Sequence, residues 1–207
     1  MDPGHDARPN LDTEPIGPGS SRRKVKDGGG TRGVVTDTPE HLVTLRISLA
    51  LRDELERRGY CVTMTRTRSA GRSIGNVARA RIANRARAVL FLRVHADGSA
   101  TRAARGSSML YPAFRRGWTG DVLPESRVAA RILQRELVRG LGSRDLGIVR
   151  RGDLTGFNWS DVPVVLAEVG FLTNPREDRL LSSRRYQRRA ARALARGVER
   201  FAPPSAR

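Results

Sequence analysis

The sequence predicts an α/β domain with a mostly parallel central sheet flanked by helices on both faces. Three observations carry this. Apolar runs of strand length alternate with longer segments of helical period. Two of the runs, residues 88–94 and 163–167, are continuously apolar, as strands covered on both faces are. His95 and Glu168 follow those runs directly, at the strand carboxyl ends where such sheets gather their ligand sites. A chain of 207 residues suits one domain, read as residues 1–207.

From Met1-Asp2-Pro3-Gly4-His5 to about Thr36 the chain is rich in Gly, Pro, Ser, Asp and Arg and has no apolar period. Residues 6–36 therefore read as one long flexible loop, and a loop of that length inside a domain tends to be functional. Thr38-Pro39-Glu40-His41 then marks a helix start: a capping residue, proline at the first helical position and an acid in the first turn. The helix runs to about Arg58, with Leu42, Leu45, Leu49, Ile47, Leu51 and Leu55 giving a wide apolar face and Gly59 the stop. A strand over 60–65, a helix near 73–87 and the apolar strand 88–94 follow. Next come a short strand around 107–111 and a helix from about 124 to 140, where Val128, Ile132, Leu133 and Leu137 repeat at helical spacing. The buried strand 163–167 and a last helix over 183–201 complete the domain, with 203–207 as a disordered tail and no internal repeat.

The formal net charge of +18 sets up a positive field that attracts polyanions, and both nucleic acid and an anionic cell wall qualify. Runs such as Arg184-Arg185 and Arg188-Arg189 read as a solvated helix face. Aromatic residues make up only 5%, with no stacking motif, zinc finger or helix-turn-helix pattern, which argues against sequence-specific nucleic-acid binding. One cysteine, Cys61, excludes an internal disulfide and a cysteine-based metal site, and its place in the apparent strand predicts a buried, inert thiol. No stretch approaches the eighteen or so apolar residues of a membrane span, and no signal-peptide pattern opens the chain.

Of the three histidines, His5 follows Asp-Pro-Gly and His95 opens Ala-Asp-Gly, so each stands where an element gives way to a turn. Each could be a satisfied polar residue at an element end. Together with Glu40 at a helix start they could also form the nitrogen and oxygen set of a catalytic zinc that keeps its fourth position for water. His41 lies about 100° around the helix from Glu40, so the two do not face one metal; Glu40 is the ligand candidate and His41 a neighbour. Glu168 is a lone carboxylate in the apolar run 164–172. Burying it requires a cation, hydrogen bonds, a raised pKa or an arginine partner, and the sequence leaves these open.

Asp2-Pro3-Gly4-His5, Pro39-Glu40-His41, Arg81-Ile82-Ala83-Asn84, Leu92-Arg93-Val94-His95-Ala96-Asp97-Gly98 and Leu166-Ala167-Glu168-Val169-Gly170-Phe171-Leu172-Thr173-Asn174 occur in one order at characteristic separations. In these segments the sequence resembles the zinc-dependent N-acetylmuramoyl-L-alanine amidases, over nearly its whole length and most closely the compact single-domain enzymes of mycobacteria and related actinobacteria. The resemblance implies that His5, Glu40 and His95 bind Zn2+ and that Glu168 is the catalytic acid/base. It implies a peptidoglycan hydrolase that cuts the amide bond between N-acetylmuramic acid and the L-alanine of the stem peptide. In that reaction zinc lowers the pKa of water and polarises the carbonyl, while Glu168 carries the proton to the leaving nitrogen. A monomer outside the cytoplasm is expected, with peptidoglycan as substrate, anionic wall polymers as further partners and no specific nucleic acid. A zinc hydrolase of the same fold on another amide, an inactive wall-binding domain and, remotely, a nucleic-acid-binding module are the other readings.

The sequence departs from the family in two places. Family members have an apolar strand directly before the Asp-Pro-Gly-His segment, and here Met1 stands at the place of its last residue. Unpaired backbone on the neighbouring strand and exposed apolar side chains are the expected result, with the true start of the chain upstream. Asp6 takes the place of a frequent glycine after the first histidine, which touches loop geometry and local charge.

Overall fold

Continuous apolar strands can be buried on both faces only if helices cover both, and that is the arrangement found. The computed structural model describes residues 1–69, 71 and 73–204. Along the chain lie β1 (Asp2–Pro3), β2 (Asn10–Pro15), β3 (Arg23–Asp27), α1 (Glu40–Glu56), α2 (Asn76–Arg85), β4 (Phe91–Asp97) and β5 (Ser107–Pro112). They are followed by α3 (Leu123–Leu141), β6 (Asp145–Arg151), α4 (Thr155–Asn158), β7 (Val164–Phe171), α5 (Pro175–Leu181) and α6 (Arg184–Phe201). The central sheet has the order β1-β4-β7-β5-β6, parallel at every pairing except β5 with β7.

Side chains of β4 and β7 alternate between two cores. Leu92, Val94, Ala96, Val165, Ala167 and Val169 join the larger core, which α1, α3 and α6 cover. Phe91, Val164 and Leu166 join a smaller one beneath α2 and α4. By the same alternation His95 and Glu168 point to the side of the smaller core, and they are register partners across β4 and β7. In the larger core α3 and α6 pack along one another. Leu133 is fully buried there, so Leu133→Ala is expected to lower stability by about 2–5 kcal/mol. A chemical-denaturation midpoint unchanged from wild type would contradict this packing.

The flexible loop expected over 6–36 is replaced by ordered structure. β2 and β3 pair as an antiparallel hairpin, and its tip is held down by Trp159 Nε1 donating to the Pro15 carbonyl at 2.9 Å and Asn158 Nδ2 to that of Ile16 at 2.9 Å. Beyond the hairpin, the buried Asp178 of α5 accepts hydrogen bonds from the amides of Val35 and Thr36 at 2.7 and 2.8 Å. The strands Asn10-Leu11-Asp12-Thr13-Glu14-Pro15 and Arg23-Lys24-Val25-Lys26-Asp27 are polar on both faces. Hydrogen bonds and buried polar anchors hold them instead of an apolar stripe, so periodicity had nothing to register.

The expected strand over 60–65 is absent as well. That segment forms no strand: the Met1 amino group donates to the Thr63 carbonyl at 2.6 Å, the Met1 carbonyl accepts from Thr65 at 3.0 Å, and the Tyr60 amide donates back to the Leu55 carbonyl at 3.1 Å. Cys61 is exposed there and not buried, because the segment lies on the rim of the sheet. β1 is reduced to two residues, pairing Asp2 with Arg93 and Pro3 with Val94. Beside the rest of β4 lies a groove of about 490 Å³, lined among others by Leu55, Tyr60, Val62, Phe91 and Val198, and it contains none of the candidate site residues. The helices near 73–87 and 124–140 and the last helix are present with ends shifted by at most three residues, the strand expected over 88–94 lies three residues later as β4, and β6, α4 and α5 are additional. Residues 203 and 204 follow α6 without regular structure, and the rest of the expected tail lies outside the described residues.

Candidate metal centre

The segment carrying His5 is fixed by charge. Asp2 is fully buried, with its carboxylate between Arg79 at 2.5 Å and Arg93 at 2.8 Å and a hydrogen bond from Thr65 at 2.6 Å. Burial alone would raise its pKa, but the two guanidinium groups outweigh it and hold Asp2 well below the usual carboxylate range. Arg79 also donates to the carbonyls of Pro3 and His5, and Arg66 to those of Gly4 and His41. The amide of Gly4 donates to the Val94 carbonyl at 2.9 Å, so the turn that ends in His5 rests directly on β4.

Three elements then converge. His5 ends the β1 turn, Glu40 opens α1 and His95 lies near the end of β4, and one ligand atom from each falls within 4.8 Å of the others. His5 Nε2 and His95 Nδ1 lie 3.4 and 3.1 Å from the same Glu40 Oε1. Around a tetrahedral ion with bonds of 2.0–2.1 Å, ligand atoms sit roughly 3.3 Å apart, so the spacing fits a zinc-sized cation. Glu40 Oε2 accepts from the Thr31 amide at 2.9 Å, and Oε1 from the Ala96 amide at 3.2 Å. There is no room for more: a methyl on Gly4 would run into the His95 ring, and one on Gly30 would sit 2.8 Å from both Glu40 Oε2 and the His5 ring. His41 stays outside the group, its pKa lowered by partial burial and by Arg66.

Charge balance in the group favours a cation. Burial favours the neutral form of Glu40, but hydrogen bonds from His5 and His95 outweigh it and hold its carboxyl far down. Burial likewise disfavours a charged His5, yet Asp27 and Glu40 push its pKa up to about 10. His95 shifts the other way, because its burial is not outweighed. Positive charge is thus drawn to the spot where the three ligand atoms meet, whether a proton or a metal ion supplies it.

Glu168 stands one strand away as the register partner of His95. It is half-buried, with Oε2 buried and without a hydrogen-bond partner among the described residues. Burial, then the charges of Glu40 and Asp97, push its pKa well above the ordinary carboxylate value. Among the described residues no arginine forms an ion pair with it, although the charge of Arg151 works against the upward shift.

The other motif residues frame the site. Asn84 Nδ2 donates to Asp161 at 2.7 Å and to the Trp159 carbonyl at 3.0 Å, tying α2 to the loop before β7. Asn174 caps α5 by accepting from the amides of Arg176 and Glu177. Sequence reasoning missed Arg66, Arg79, Arg93 and Asp27. Arg93, one charge inside a continuous apolar strand, carried a readable signal; Asp27, twenty-two residues from the histidine it touches, did not.

Two histidines and a glutamate that could hold a cation thus stand beside a carboxyl with a raised pKa on an α/β scaffold. The family model described as N-acetylmuramoyl-L-alanine amidase matches residues 1–200, and the chain belongs to that family. It is 28% identical over 210 residues to an N-acetylmuramoyl-L-alanine amidase of Mycobacterium tuberculosis, covering 97% of this chain and 84% of that protein. It is 27% identical over 214 residues to N-acetylmuramoyl-L-alanine amidase AmiC of Neisseria meningitidis, covering 84% of this chain, and spans half the length of that protein. The crystal structure of the N-acetylmuramyl-L-alanine amidase of Mycobacterium smegmatis superposes with a TM-score of 0.87 at 27% identity, covering 97% of this chain and 94% of that one.

Proposed function

We propose that this chain is a zinc-dependent peptidoglycan hydrolase that cuts the amide bond between N-acetylmuramic acid and the L-alanine of the stem peptide. The observation that carries the reading is the pairing, in register across β4 and β7, of a cation-attracting His5, Glu40 and His95 group with the carboxyl of Glu168, whose Oε2 has no hydrogen-bond partner among the described residues. Zinc bound by these three side chains would lower the pKa of water and polarise the scissile carbonyl. Glu168 removes the proton from the attacking water and delivers it to the departing L-alanine nitrogen; a carboxyl with a raised pKa suits both halves of that transfer. Because the carboxyl lies one strand from the ligands, proton transfer and metal binding fall to different residues and can be separated by mutation.

The test is release of stem peptides from purified peptidoglycan, with mass spectrometry for a free L-alanine amino terminus. Cleavage between sugars or within the stem would refute the assigned bond. Purified protein is expected to carry about one zinc per chain, as three protein ligands around one ion require. Elemental analysis showing no metal, or unchanged metal content in His95→Ala, would remove the zinc assignment. The substrate lies outside the cytoplasm, and we place the enzyme there; among the described residues no helix is long and apolar enough to cross a membrane. The +18 charge favours retention on anionic wall polymers. Such retention should weaken steadily as salt rises, whatever the polyanion. Selection of one DNA sequence over unrelated DNA at physiological salt would favour the nucleic-acid reading instead.

A further inference from the structure

We propose that Asp27, carried by the β2–β3 hairpin, is a positioning residue for the metal: it holds His5 in the tautomer and orientation that present Nε2 to the cation. The inference rests on the metal reading above. Asp27 Oδ1 lies 2.6 Å from His5 Nδ1, and the carboxylate side chain is 3% exposed, so this contact is shielded from competing water. With Nδ1–H donated to a carboxylate, the remaining lone pair is on Nε2, the nitrogen that faces Glu40.

His5 needs such a brace. Its backbone sits at φ 57°, the left-handed region, where the segment ends in a turn and no regular element orients the side chain. The main chain is held from behind by Arg79, which donates to the His5 carbonyl at 3.3 Å. Asp27 holds the ring from the other side. Its own position is set by the last pair of the hairpin, Asn10 with Asp27, and by the Gly29 amide donating to Oδ1 at 2.9 Å. Asn10 in turn donates to the Ser73 carbonyl at 2.7 Å, and Asn76 at the start of α2 to that of Lys26 at 2.7 Å. The hairpin is thus anchored on both sides of Asp27. His95 has a different arrangement: its Nδ1 faces Glu40, and its Nε2 is buried without a partner among the described residues, so only one of the two histidines has a carboxylate behind it.

Zinc affinity of the full-length chain, measured by competition with a chromophoric chelator, is expected to fall 10–100-fold in Asp27→Asn, the range seen when the partner behind a metal-bound histidine is lost. Asp27→Glu keeps a carboxylate but displaces it, and should fall between wild type and Asp27→Asn; it also provides the readout if Asp27→Asn does not fold. The visible spectrum of the cobalt-loaded protein should shift in both variants, since a reoriented His5 changes the ligand field. A merely structural role would leave that spectrum unmoved. Lys24→Ala, which loosens the hairpin at its contact with Asp153, should leave zinc affinity and spectrum as in wild type. Wild-type affinity and spectrum in the folded Asp27 variants would overturn the proposal, as would an equal loss in Lys24→Ala. Wild-type protein that binds no zinc would instead fail the metal reading itself, and this inference with it.

Discussion

Glu168→Gln is expected to keep its fold and its zinc while losing amide turnover by about 10²–10⁴-fold, the contribution of a positioned acid/base. The substitution preserves shape and removes only the ability to take up and release a proton. Because Oε2 has no hydrogen-bond partner to lose and no ion pair holds the carboxylate among the described residues, little structural penalty should accompany the change. Glu168 also lies outside the three-residue ligand group, so metal content should be that of wild type. His95→Ala gives the opposite pattern, with metal and turnover lost together. Full activity in Glu168→Gln would show that the general base lies elsewhere.

The second large effect concerns stability and sits behind the site. Asp2→Ala removes the carboxylate that bridges Arg79 and Arg93, two buried guanidinium groups, and leaves them without their shared counter-charge in the interior. Breaking a buried pair in this way costs about 3–5 kcal/mol. The same contact predicts a pH dependence. Asp2 in the folded chain has a pKa depressed below its unfolded value of about 3.9, so its stabilisation is fully present above that value and is lost as pH falls toward the folded pKa. Denaturant titrations at neutral pH and near pH 3 should therefore show a loss in the wild type that Asp2→Asn lacks for this contribution. Equal acid sensitivity in the two proteins would mean that the ion pair contributes nothing to folding. Loss of Asp2 should also loosen His5, because Arg79 joins the two.

The parts of this molecule that bury apolar surface were legible in the sequence. Continuous runs announced β4 and β7, and helical spacing announced α1 and α3, because packing a core imposes a period on the residues that fill it. The sequence singled out His5, Glu40, His95 and Glu168 as candidates, as a set through the family resemblance; the expected strand ends at 94 and 167 lie three and four residues short of the ends of β4 and β7, so His95 and Glu168 fall inside the strands. What stayed hidden is held by polar contacts that impose no period. The β2–β3 hairpin depends on residues such as Asn10, Glu14 and Asp27, each buried and each bonded to something distant in sequence. Glu14, for example, accepts from the amides of Asn76 and Val77 at the start of α2, sixty residues on. β6 escaped because Asp145-Leu146-Gly147-Ile148-Val149-Arg150-Arg151 is an edge strand with half its surface in solvent. Residues 60–65 misled in the other direction: their composition is that of a strand, but a strand is made by a ladder to a partner's backbone, and here the main-chain bonds are divided between Met1 and Leu55.

The absence of room at Gly4 and Gly30 bears on how this chain can change over generations. At both positions every other amino acid, alanine included, brings an atom against one of the side chains assigned to the metal, so no amino-acid replacement there leaves the proposed site untouched. The arginine-rich exterior faces no such restriction, and its residues can be exchanged one at a time. The two regions are therefore expected to change along different routes: the surface through single substitutions, the proposed site only through paired changes in which a backbone shift makes room before a side chain arrives.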